Sequence, residues 1–278
     1  LVAVHAMIVG IAAMGMTFII ISGGIDLSVG SAIALVSVAT AIVLERGGGP
    51  VFALSVALGV GAVCGLYNGL LITILRLPPF IATLGTLGFY RGVAKWMSGS
   101  IPITAPTQGL EAWVSPIPTP PMLIFAPAVW LMLALGLFLV VVLRYSILGQ
   151  HAYAIGSNEA TARLCGVRVA RTKVSIYVLA GLLTGLAGLM QFARLTQGDP
   201  TVAIGLELDI IAAVVIGGGS LSGGQGSILG TLTGAVLMAY LRNRSTVLGW
   251  PNFVEEMIVG HIIIVAVAVD RWRGSRTN

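Results

Sequence analysis

Nine apolar stretches, at roughly 4–22, 27–44, 51–75, 79–97, 122–143, 174–193, 207–219, 225–241 and 256–269, leave this chain few ways to fold. A helix of about 20 apolar residues crosses a bilayer, and several of these stretches are shorter. Some helices must therefore be broken or share their depth with buried loops. Only 9% of residues are charged, 57% are hydrophobic and the mean hydropathy is +1.00. A soluble domain carries about a quarter charged residues. The expected fold is an all-α, polytopic transmembrane helix bundle with broken helices, a single membrane domain over 1–278. A closed β-barrel would alternate polar and apolar residues, and these stretches do not. Thirty-seven glycines and few aromatics predict helices that pack through small residues.

Charge placement sets the expected orientation. The interruption 144–174 carries Arg144, Arg163, Arg168, Arg171 and Lys173, and the tail carries Arg271, Arg273 and Arg276. The long loop 98–121 has no Lys or Arg. The first two are expected on the cytoplasmic side and the last outside. Four stretches separate 144–174 from the tail, so both can share a side. Counting back places Leu1 outside. A preceding span is therefore expected upstream, making about ten in the natural protein and this chain an N-terminal truncation. The net charge of +5 arises from these membrane-flanking cations and implies no nucleic-acid surface.

Within the interruption, Gly156 to Gly166 reads as a short capped helix. Asn158 suits the N-cap, Glu159 the first turn and Arg163 the last, and Gly166 a left-handed end. Glu159 and Arg163 also pair at i,i+4. The helix spans about seven residues, roughly 10 Å, with Thr161, Leu164 and Cys165 on its other face. Such a helix, with its apolar tip, suits a grip by another protein; an ordinary solvated loop helix is the alternative.

Two glycine-rich breaks flank the middle of the chain. Ser22-Gly23-Gly24-Ile25-Asp26-Leu27-Ser28 ends the first apolar stretch, and Asp26 there can accept from the amides of Ser28 or Val29 and cap the next helix. A carboxylate at membrane depth is a functional candidate by default; capping explains the local pattern. The second break runs Gly217-Gly218-Gly219-Ser220-Leu221-Ser222-Gly223-Gly224-Gln225-Gly226-Ser227. It lacks Gly-Lys-Ser/Thr, so it is no phosphate loop, and its likeness to the first hints at an internal duplication. The outer loop contains Pro102, Pro106, Pro116, Pro118, Pro120 and Pro121, with Trp113 free for a contact. Nearby, Asp209 in the first turn of a short helix reads as a dipole partner. Cys64 and Cys165 give no disulfide framework, and His5, His151 and His261 are too scattered for a metal site. No cofactor is expected.

Ser22 to Ser31, Pro79-Phe80-Ile81-Ala82-Thr83-Leu84-Gly85, Gly156 to Val167, and Glu207 to Gly218 occur here in an order that closely resembles the permease subunit of bacterial ribose/xylose/galactose-type ABC importers. The resemblance runs over nearly the whole chain. It implies a bacterial inner-membrane location, about ten spans, a second permease subunit as homodimer or pseudo-dimer, a cytoplasmic ATPase with two nucleotide-binding halves, and a periplasmic sugar-binding protein. The permease itself would be non-catalytic. The family's coupling helix falls on Asn158, Glu159, Thr161, Arg163, Leu164, Cys165 and Gly166; Cys165 stands where Ser is usual, and Gly156-Ser157-Asn158 replaces a commoner Gly-Gly-Asn or Gly-Asn-Asn. The implied function is passage of a sugar or similar small polar solute, with a branched-chain amino-acid permease as the rival. An intramembrane enzyme would need converging ionisable groups, and an ion-coupled carrier intramembrane carboxylates; the stretches contain few of either.

Overall fold

A computed structural model describes residues 2–115 and 124–274. Leu1, Pro116, Pro118, Pro120, Pro121 and Arg276 lie outside the described residues, as do the side chains of Arg271 and Arg273. Each of the nine apolar stretches falls on a helix: α1 (Val2–Ile21), α2 (Val29–Glu45), α3 (Pro50–Thr73), α4 (Pro79–Ser98), α6 (Pro127–Tyr145), α9 (Val169–Leu195), α10 (Leu206–Ile216), α11 (Ile228–Val247) and α12 (Asn252–Gly274). Three short helices join them: α5 (Glu111–Val114), α7 (Ile147–Ser157) and α8 (Glu159–Leu164).

The starts follow from local chemistry. Proline opens α3, α4 and α6, where its missing amide costs nothing. Ser227 caps α11 by accepting from the Gly230 amide at 3.0 Å. By length and composition α1, α3, α6 and α9 can each cross a membrane. At 17 and 11 residues, α2 and α10 are shorter. Each abuts a glycine break of irregular backbone, 22–28 before α2 and 217–227 after α10; the first is mostly buried, whereas Gly218, Ser222, Gln225 and Ser227 of the second are exposed.

The first helix is the axis of the bundle. From Ala6 to Ile21 every residue of α1 is buried, against α9, α10, α11 and α6. Gly15 sits where a Cβ would come within 2.7 Å of the Ala180 backbone, and the Thr17 and Thr231 hydroxyls share a 2.7 Å hydrogen bond. A second close seam joins α3 to α9. Ala57, Gly61, Gly65 and Gly69 recur every fourth residue and meet Tyr177, Gly181 and Gly185; a Cβ at Gly61 would lie 2.7 Å from the Gly185 Cα. This is the small-residue packing by which lipid-embedded helices associate. The outer surface is apolar, with Val63 on α3 and Leu137 and Phe138 on α6 more than half exposed.

The all-α expectation has one small exception. Ile103–Thr104 (β1) pairs antiparallel with Gln197–Gly198 (β2) and ties the α4–α5 connection to the α9–α10 connection. The bundle thus has two distinguishable ends, one bearing the β ribbon and the other bearing α8.

Candidate functional site

The α8 end is built from strictly local signals. The Asn158 backbone is extended and its side-chain oxygen accepts from the Thr161 amide at 2.9 Å. Glu159 bonds Arg163 at 2.9 Å within the helix and Lys173 of α9 at 2.7 Å. The Lys173 hydrogen bond holds the Glu159 carboxyl below the usual carboxylate range. That pairing therefore contributes above the ordinary carboxylate pKa and is lost only as pH falls through the lowered one. Gly166 closes the helix at φ +86°. The helix runs six residues, one fewer than expected, because Cys165 already leaves helical geometry. Ala162 packs against Ile155 and Val169, while Leu164 is 89% exposed with Thr161 and Cys165 exposed beside it.

Sequence reasoning treated 144–174 as a loop around that helix and missed α7. Ser146 is the signal that would have found it: its hydroxyl accepts from the Gly149 amide at 3.2 Å and starts a new helix. The consequence is positional, because α7 carries Gly156 into the meeting point of both glycine breaks. The Gly224 amide donates to the Ile21 carbonyl at 2.8 Å. A Cβ at Gly156 would overlap that carbonyl and lie 2.5 Å from the Gly224 nitrogen. Gly223, at φ +89°, brings its Cα so near that a Cβ would lie 2.8 Å from the Gly156 oxygen and 3.1 Å from the Gly23 Cα. Tyr153 adds a hydrogen bond to the Gly226 carbonyl at 2.7 Å. Gly23 and Gly218 take positive φ, whereas Gly24 and Gly217 are required by close approach, Gly24 against the Tyr177 hydroxyl and Gly217 against the Gly230 backbone. Breaks some 200 residues apart thus form one backbone junction directly behind α8.

Asp26 lies in the first break, two residues before the N-cap Ser28, whose own side chain caps nothing. Its Oδ1 accepts from the Ser28 amide at 2.8 Å and the Ser28 hydroxyl at 2.6 Å, and its Oδ2 accepts from Asn68 Nδ2 at 3.3 Å. Asn68 also donates to the Ser28 hydroxyl oxygen at 2.9 Å, and Thr83 donates to the Ile25 carbonyl at 3.2 Å. The carboxylate ties the turn to α3 rather than capping α2 at its N-cap position. We expect Asp26→Asn to retain assembly and transport, because an amide oxygen keeps both Ser28 bonds. Asp26→Ala should lose about 1–3 kcal/mol by leaving buried donors unpaired. Uptake normalised to assembled protein decides it; a well-assembled but inactive Asn variant would show that the group titrates.

At the opposite end Asp209 stands in the first turn of α10 as expected. It is also buried, and its Oδ2 meets Arg242 Nε at 2.5 Å, a partner the sequence did not show. Arg242 reaches Glu255 of α12 at 3.0 Å, and Arg194 contacts His5 at 2.7 Å. Arg91 donates to the Pro200 and Val202 carbonyls at 2.8 and 2.7 Å, fastening the segment before α10 onto α4. Arg242, one of two arginines near the end of the otherwise apolar α11, was the sequence signal for this cluster. Among the described residues no three His, Cys, Asp or Glu side chains converge as metal ligands.

A helical membrane bundle with broken helices and a capped helix at one end fits a transport permease. Residues 1–267 match the family described as "Branched-chain amino acid transport system / permease component", and the chain belongs to that family. It is 43% identical over 268 residues to the ribose import permease protein RbsC of Bacillus subtilis (strain 168), covering 94% of this chain and 81% of that protein. The ribose import permease protein RbsC of Escherichia coli (strain K12) is 38% identical over the same shares. The inner membrane ABC transporter permease protein YjfF of Escherichia coli (strain K12) is 39% identical over 276 residues, covering 94% of this chain and 80% of that protein. No solved structure matches.

Proposed function

We propose that this chain is the non-catalytic permease subunit of an ATP-driven importer for a monosaccharide or similar small polar solute. The observation that carries the substrate class is the 35–43% identity, over most of the chain, to ribose import permeases from three bacterial species. Its partners are a cytoplasmic ATPase with two nucleotide-binding halves, a periplasmic solute-binding protein and a second permease, as homodimer or pseudo-dimer. Residues 158–166 dock on the ATPase, a role supported by the double capping of α8, its ion pair to α9 and the outward Leu164. Gly23, Gly24, Asp26, Gly217, Gly218, Gly223 and Gly224 form the structural breaks that receive its motion. The test is ATP hydrolysis and uptake by the complex in vesicles: stimulation by a solute-loaded binding protein supports the reading, and hydrolysis indifferent to it overturns the reading. The family's description names branched-chain amino acids; stimulation by leucine but by no pentose or hexose would favour that substrate instead.

The same reading puts the α8 end and the C-terminus in the cytoplasm, supported by the cations at 144–174. Cys165 is exposed and Cys64 is buried, so the native chain carries its own reporter. In cells making the permease without its ATPase, a membrane-impermeant thiol reagent applied from outside should leave Cys165 unmodified until the membrane is opened. In a Cys165→Ser background, Ala112→Cys on the exposed α5 surface should react at once. The reverse pattern would invert the orientation.

A further inference from the structure

Beside α8 a cleft of about 860 Å³ opens between the α3–α4 turn and the start of α9. Its charged lining is Arg76, Glu159, Arg163, Arg168, Arg171 and Lys173. The single carboxylate is already engaged by Arg163 and Lys173. Arg76, Arg168 and Arg171 are exposed and have no anionic partner among the described residues. Arg76 is also held at φ +53°, in the left-handed region that a side chain seldom occupies, on a turn closed by the Leu77 amide donating to the Leu71 carbonyl at 3.4 Å. The rim bears a different chemistry. Ile74, Leu75, Leu77, Phe80 and Ile81 are exposed along the same turn and the first turn of α4. A basic cavity continuous with an apolar margin, at the end of membrane helices, has the two-part character of a phospholipid: anionic headgroup inside, acyl chains along the margin.

We propose that this cleft is a binding site for the headgroup of an anionic phospholipid, with the phosphate taken by the arginines Arg76, Arg168 and Arg171 and the acyl chains lying over Ile74, Leu75 and Phe80. Guanidinium groups suit it because they present paired donors to phosphate oxygens and shed water more readily than ammonium groups. Basic pockets between transmembrane helices are known takers of such headgroups. A bound phospholipid would bridge the α3–α4 turn to α9, against which Glu159 of α8 is already fastened. The site needs the chain to be embedded in a bilayer, and the three arginines that take the phosphate, Arg76, Arg168 and Arg171, lie outside the residues 158–166 assigned to the ATPase.

Native mass spectrometry of the purified permease, extracted from vesicles of phosphatidylglycerol mixed with phosphatidylcholine, reads the site directly. The parent should retain phosphatidylglycerol preferentially. Each of Arg76→Gln, Arg168→Gln and Arg171→Gln should weaken that retention about fivefold, the contribution expected of one cation near an anionic lipid surface. The three exposed positions leave the packed core untouched, and unchanged thermal unfolding in phosphatidylcholine alone verifies that. Inorganic phosphate at millimolar concentration should fail to displace the lipid; displacement would mean that a free anion, not a lipid, is the ligand. Equal retention by parent and triple variant would overturn the proposal. If the variant instead kept its lipid and lost the ATPase on purification, the cleft would be a protein interface and the proposal would fall.

Discussion

Gly156→Val should eliminate transport and sharply reduce the amount of folded permease. The substituted side chain would run into the Ile21 carbonyl and the Gly224 nitrogen, which are hydrogen-bonded to each other at 2.8 Å, so neither can retreat without opening the junction. Overpacking a fitted interior costs about 1–3 kcal/mol even when flexible side chains absorb it; here the obstacle is backbone on both sides, and the upper end of that range is expected. Gly59→Val is the control, because Gly59 also lies within a helix, α3, and a Cβ there meets nothing within 4 Å. Thermal unfolding and uptake of the two variants, compared with the parent, separate a junction effect from a general cost of valine. Parental uptake by Gly156→Val would mean that α7 does not communicate through this contact.

The second large effect should appear without any loss of fold. Leu164→Asp alters a side chain that is 89% exposed, and exposed substitutions away from special features stay within about 0.5 kcal/mol. On the proposed docking of α8, however, that side chain would enter an apolar socket on the ATPase, where an unpaired carboxylate is strongly disfavoured. Uptake should fall to background, and co-purification of the ATPase should fall with it, while permease abundance and melting remain parental. Undiminished uptake with normal ATPase association would make α8 a bystander.

The residues of α8 were readable because every determinant is local. The Asn158 cap, the Glu159–Arg163 pair and the Gly166 turn lie within nine residues and need no tertiary partner to be recognised. The nine apolar stretches were readable for a similar reason, since hydropathy is summed along the chain. What stayed hidden is what depends on spatial meeting. Nothing in the run Gly217 to Gly226 says that Gly223 will touch Gly156 and Gly23; glycine announces freedom at a position, not the neighbour that requires it. The ion pair of Asp209 went unseen because its partner Arg242 lies 33 residues away on another helix, and a carboxylate in a first turn has an adequate local explanation. Asp26 falls between the two cases: its bond to Ser28 follows from sequence spacing, and its bond to Asn68 does not.

The position of α1 also dictates an order of events at the ribosome. This helix emerges before every other element described here, yet the helices that enclose it include α9, α10 and α11, translated more than 150 residues later. Through that interval α1 must wait in lipid without its final neighbours. Its sequence suits the wait, since between Ala6 and Ile21 the polar side chains reduce to the single hydroxyl of Thr17, which can bond its own helix at the Ala13 carbonyl, 2.8 Å away. A helix apolar all round is equally at home in hydrocarbon and in a protein core. Assembly of the bundle therefore waits on α9, α10 and α11, and synthesis halted before α9 would leave the axis covered only by α6 and α7.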